Sequence, residues 1–109
     1  MWLITTSGFY SVVQHRREPG KLIVRARRRE DIEALRELIP SLRPYSDRSA
    51  DYRWRAVVTR PEWVAAVAQI AGEIDYPNFK SAVAERQGPD RAHRYAEVWR
   101  TLLGLQEEA

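Results

Sequence analysis

Four arginines sit in two short runs that alternate with apolar residues. Arg25 and Arg27 follow Leu22-Ile23-Val24, and Arg53 and Arg55 flank Trp54 ahead of Ala56-Val57-Val58. A guanidinium carries a planar fork of N–H donors that matches phosphate or carboxylate, and its flat face stacks on aromatic rings. The two-residue alternation is that of a β-strand, so side chains two apart share a face. Arg25, Arg27, Arg53 and Arg55 therefore fall on one sheet face. Leu22, Val24 and Ala26 fall on the other, with Tyr52, Trp54, Ala56 and Val58. Such a face is a candidate polyanion surface, extended by Tyr10 and Gln14 if the first strand has the matching parity. That parity stays open at this point, because Gly8 interrupts the strand. Basic and aromatic groups on a sheet suit single-stranded nucleic acid. The chain has neither the strand order of the RNA-recognition fold nor its Arg/Lys-Gly-Phe motif. The competing reading is a solvated sheet face, or a face between subunits that pairs with acids.

A second group of polar residues lies between positions 75 and 94. Arg86, Arg91 and Arg94 surround the start of a helix after Gly88, where free N–H groups attract anions. Arg91 and Arg94 are one turn apart and suited to clamping one group. Against this, arginines near helix ends commonly only solvate them, and Asp75 and Asp90 suit helix starts. Asp75, Tyr76 and His93 form a candidate polar cluster for acid–base chemistry. His15 and His93 are the only histidines and cysteine is absent, so no metal-ligand spacing exists. The G-x-S-x-G, P-loop and G-x-G-x-x-G signatures are missing too. No catalytic residue, metal or cofactor is assigned.

The basic residues are unevenly placed. Lys and Arg total 18, yet only Lys21 and Lys80 are lysines, and the net charge is +3. GC-rich coding sequence explains a preference for arginine without any ligand. It does not explain placement: residues 1–60 carry a balance of +6 and residues 61–109 one of −3. No segment has the length and apolarity of a signal or a membrane span, so a cytoplasmic protein with no membrane partner is expected.

The elements that must position these residues follow from pattern and punctuation. Trp2 to His15 is rich in β-branched and aromatic residues and reads as one strand. Arg17-Glu18-Pro19-Gly20 is a turn, and Lys21 to Arg28 is the second strand of a hairpin. Ile32, Leu35, Leu38, Ile39 and Leu42 trace the stripe of a helix that begins at Glu30 and stops by Ile39, ahead of Pro40. Pro44 to Asp51 reads as a loop, and Tyr52 to Thr59 as the third strand. Thr59-Arg60-Pro61-Glu62 is a capping box opening a helix along Trp63, Val64, Val67, Ile70, Ala71 and Ile74. A short helix over 78–86 and a last helix from Asp90 follow, the latter with a seam of Tyr95, Val98, Trp99, Leu102 and Leu105. Trp54, Trp63 and Trp99 read as core with their indole N–H groups bonded, and Trp2 as an anchor for a partner chain.

These elements predict one α+β domain over 1–109, in the order β-β-α-β-α-α. A three-stranded antiparallel sheet, ferredoxin-like but incomplete, packs on helices in two layers. The first strand lies in the middle, and the helix crosses over it in the right-handed sense.

The opening block, Met1-Trp2-Leu3-Ile4-Thr5-Thr6-Ser7-Gly8-Phe9-Tyr10-Ser11-Val12-Val13-Gln14, resembles the start of a group of short bacterial proteins. Asp75-Tyr76-Pro77-Asn78-Phe79-Lys80 and Arg86-Gln87-Gly88, with Arg91, Tyr95, Val98 and Trp99 beyond, resemble later blocks of the same group. The resemblance spans nearly the whole chain and implies no activity, cofactor or catalytic residue.

On these grounds a small core, an open sheet and no catalytic signature suggest a non-catalytic module that binds a protein partner, foremost a second copy of itself. Nucleic acid or another polyanion bound on the arginine face is the alternative, and a small acid–base enzyme the third reading.

Overall fold

The computed structural model describes residues 1–107. The chain divides into two compact units, Met1–Ile74 and Asp75–Ala109.

In the first unit the expected first strand is broken by a tight turn. Thr5 Oγ1 accepts the N–H groups of Ser7 and Gly8, both at 3.1 Å, and Thr5 N–H donates to Gly8 O at 2.9 Å. A threonine side chain that bonds the backbone two and three residues on stabilises a turn in place of a continuing ladder. The strand becomes β1 (Trp2–Ile4) and β2 (Phe9–Gln14). There follow β3 (Lys21–Ala26), α1 (Arg29–Ala34) with one 3-10 turn over Leu35–Glu37, β4 (Tyr45–Ser46), β5 (Trp54–Thr59) and α2 (Arg60–Gly72).

The sheet has five strands, not three, in the order β1-β2-β3-β5-β4, with every pair antiparallel. β3 is central, and the first strand is not. The cause is the turn at Thr5–Gly8: β1 folds back onto the edge of β2 that the third strand would have occupied. β5 then pairs with the free edge of β3, and the expected right-handed crossover over the first strand does not form. β4 was hidden in the sequence because two residues are too few to show a period.

One face of this sheet carries the core. Tyr10, Val12, Leu22, Val24, Ala26, Ala56 and Val58 pack against Ile32, Leu35, Ile39 and Leu42 and against Trp63 and Ala66 of α2. α2 starts at the capping box expected for it. Thr59 Oγ1 accepts Glu62 N–H at 3.2 Å, and Thr59 N–H donates to Glu62 Oε1 at 2.7 Å. That N–H and the Ser41 hydroxyl hold the Glu62 carboxyl below its usual range. The apolar stripe of α2 is less covered than its spacing predicts: Val64 and Ile74 are exposed. Trp63 is buried, but its indole N–H finds no acceptor, contrary to expectation. Its ring meets Tyr10 edge-on at 6.4 Å.

The second unit is a helical hairpin of α3 (Phe79–Gln87) and α4 (Pro89–Glu107). Asn78 caps α3 by accepting Ser81 N–H at 2.9 Å. Gly88 makes the break at φ 97°, a conformation open to glycine and costly for other residues. Val83, Ala92 and Tyr95 are buried, with Phe79 stacked on Tyr95 at 6.1 Å. The expected seam of α4 is covered only in its first half, since Trp99, Leu102 and Leu105 are exposed.

Candidate anion-binding sheet face

The sheet face opposite α1 and α2 is assembled by strand register. Directly paired residues of antiparallel strands point to the same side. One row crosses all five strands: Trp2, Ser11, Arg25, Arg55 and Tyr45. A second row holds Val13, Ile23 and Val57, and Phe9 lies beside Ile4 at the other end.

The parity of β2 is set by three residues around Gly8. Tyr10 is 1% exposed, and its hydroxyl donates to Asp31 O at 2.8 Å. Asp31 is 3% exposed, and its carboxylate accepts Phe9 N–H at 3.0 Å. Gly8 has no positive φ; it is required for space, because a Cβ there would lie 2.7 Å from Tyr10 Oη and 2.8 Å from Asp31 Cβ. This packing pins Tyr10 inward and Phe9 and Ser11 outward. Tyr10 therefore belongs to the core and not to the arginine face. Gln14 shares its parity and accepts a hydrogen bond from Arg60 at 3.3 Å.

The arginines gather around a tyrosine that alternation assigned to the core. Tyr52 precedes β5, is buried, and lies outside the main core cluster. The Arg27 and Arg25 guanidinium carbons lie 4.2 and 4.8 Å from its ring centroid. Arg55 Nε donates to Tyr52 O at 3.1 Å. Phe9 meets the Tyr52 ring at 6.2 Å, and Trp2 meets Phe9 edge-on at 6.0 Å. An aromatic chain thus runs from the 72%-exposed Trp2 to the buried tyrosine that the arginines hold. Neither periodicity nor spacing could have found Tyr52, since the strand starts only at Trp54.

Each guanidinium of the trio is oriented with only part of its donor set. Arg25 Nη2 donates to Ser11 Oγ at 2.6 Å, and Arg27 Nη1 to Asp51 O at 2.8 Å. A guanidinium has five N–H donors, so each retains several for a ligand. Among the described residues, no ion pair joins Arg25, Arg27, Arg53 or Arg55 to a carboxylate. The Asp47 carboxyl is held below its usual range by the Ser49 hydroxyl and N–H, with Arg55 adding a favourable charge.

Arg53 departs from the expected foursome. Its Nε reaches Ser46 Oγ at 3.4 Å, and its guanidinium lies 5.2 Å from the Trp54 ring, whose register belongs to the helix side. The face has three arginines, not four.

The candidates of the second unit are not drawn together. Arg91 Nη1 donates to Tyr95 Oη at 3.1 Å, and Arg94 pairs with Glu97 at 3.7 Å. Arg86 is exposed at the end of α3. Asp75 and His93 are exposed and Tyr76 packs on Phe79 at 6.0 Å, with no hydrogen bond or ion pair joining the three among the described residues. No group of three metal-binding side chains occurs among the described residues, and no helix there is long and apolar enough to cross a membrane. No protein-family model, curated protein sequence or solved structure matches the chain.

Proposed function

We propose that the protein binds a polyanion on this sheet face, through Arg25, Arg27 and Arg55. The observation that carries the reading is the trio itself: three guanidinium groups oriented by Tyr52, Ser11 and Asp51, none paired with a carboxylate. Orientation before binding reduces the entropy lost when a long side chain is immobilised. Arginine suits such a site better than lysine because the fork engages two oxygens at once.

The test is titration of the protein with inorganic polyphosphate, followed by calorimetry at several salt concentrations. Three phosphate contacts predict a log K against log salt slope of about −2 to −3. Arg55→Gln is expected to weaken binding about tenfold and to reduce that slope by about one unit. Absence of binding at low salt, or equal binding by Arg55→Gln and Arg25→Gln chains that remain folded, overturns the reading.

A second reading, association with another copy of the chain, is favoured by the far half of α4. Trp99, Leu102, Leu103 and Leu105 are 58%, 55%, 38% and 65% exposed on a helix of 19 residues, beside an α3 of only 9. Light scattering across a concentration series then shows a mass rising towards twice that of the chain, and Leu102→Glu abolishes the rise. A constant monomer mass at the highest concentration removes this reading.

A further inference from the structure

The polyanion reading leaves the chemical class of the ligand open, and the row across the sheet narrows it. At its two ends stand exposed aromatic residues, Trp2 on edge strand β1 and Tyr45 on edge strand β4. Between them lie the buried Ser11 and the half-buried Arg25 and Arg55, with Phe9 beside Trp2 at 6.0 Å. A bare phosphate polymer has no group to stack on exposed rings at the ends of a cationic row. A chain that carries a planar base on each phosphate unit does.

We infer that the ligand is a single-stranded nucleic acid laid across the strands, with its phosphates on Arg25, Arg27 and Arg55 and its bases stacked on Trp2 and Tyr45. This rests on the polyanion reading and adds the base-stacking groups to it. Neighbouring strands lie about 4.8 Å apart, so the four gaps of the row span about 19 Å. That length holds at most about six nucleotides at the stacked spacing of about 3.4 Å, and fewer if the bases are splayed. A duplex is disfavoured because its bases are already stacked on one another and are not presented to Trp2 or Tyr45. Stacking accepts any base, so no strong sequence preference is expected.

The experiment uses the full chain and follows binding by fluorescence anisotropy of labelled oligothymidylates and oligouridylates, about two to twelve nucleotides long. Inorganic polyphosphate of matched charge and a duplex of matched length are the competitors. The expected result is affinity that rises with length to about six nucleotides and then levels, and competition by duplex at least about fivefold weaker. Trp2→Ala and Tyr45→Ala are each expected to lose about five- to 150-fold for oligonucleotides, the worth of one stacked base. The same variants should bind polyphosphate as the parent chain does. If oligonucleotide, duplex and polyphosphate bind alike and both variants bind unchanged, this inference is overturned while the polyanion reading stands. If no anion binds the folded chain at low salt, both fall.

Discussion

The Asp31→Ala chain is expected to be less stable than the parent by about 3 kcal/mol. Asp31 opens α1, and in sequence it reads as an ordinary acid favoured by the helix dipole. In the fold it is 3% exposed, and its carboxylate accepts the Phe9 N–H at the start of β2 at 3.0 Å. A hydrogen bond to a charged acceptor contributes about 1.5–3 kcal/mol, and its removal also leaves a partly buried N–H unpaired. For a domain of this size the melting temperature should fall by about 10–20 °C. Asp31→Asn keeps an oxygen acceptor in place and should cost less than half as much. Urea denaturation of the three chains checks the ranking; an Asp31→Ala midpoint equal to that of the parent would remove the carboxylate from this role.

Gly8→Ala should cost about 2 kcal/mol, although glycine to alanine is often stabilising where the backbone permits it. The backbone does permit it here, because Gly8 has no positive φ. The obstacle is space: the new methyl would lie within 2.9 Å of Tyr10 Oη and of two Asp31 carbons. Buried overpacking of this kind forces shifts costing about 1–3 kcal/mol. The mechanism carries its own control. Tyr10→Phe removes the nearest of the three atoms, so Gly8→Ala should cost less in that background than in the parent. Additive costs in the double-mutant cycle would show that the clash with the hydroxyl is not the cause.

These two residues also show how far the sequence could be read. The alternation of β3 and β5 placed Leu22, Val24, Ala26, Ala56 and Val58 in the core, and Arg25 and Arg55 opposite, as the register shows. The capping box at Thr59 and the break at Gly88 were legible because their chemistry is local. The turn at Thr5–Gly8 was not. Its glycine is needed for contact with Asp31, 23 positions on, and no local pattern records a contact at that distance. Missing that turn moved the central strand from β3 to the first strand and left the parity of Tyr10 open. Tyr52 was assigned to the wrong side for a related reason: alternation was extended one turn of the pleat beyond the start of β5 at Trp54. The exposed half of α4 follows from length, since α3 is too short to cover the whole stripe.

Arg53 marks the limit of counting charges. Composition and spacing group it with Arg25, Arg27 and Arg55, yet its guanidinium turns to Ser46 and Trp54. What distinguishes the other three is a shared partner, Tyr52, whose ring meets Arg25 and Arg27 and whose carbonyl accepts from Arg55. Codon usage sets the choice of arginine over lysine, but not the placing of Arg25 and Arg27 on the Tyr52 ring and Arg55 on its carbonyl.

The most direct test of the anion-binding face is an NMR titration of the folded chain with inorganic polyphosphate at low salt, read as amide and guanidinium shift changes. Changes are expected to concentrate on Ser11, Arg25, Arg27, Tyr52 and Arg55, saturating together and reversed by added salt. Changes confined to Arg86, Arg91 and Arg94 around the start of α4, or none at any residue, would contradict that expectation.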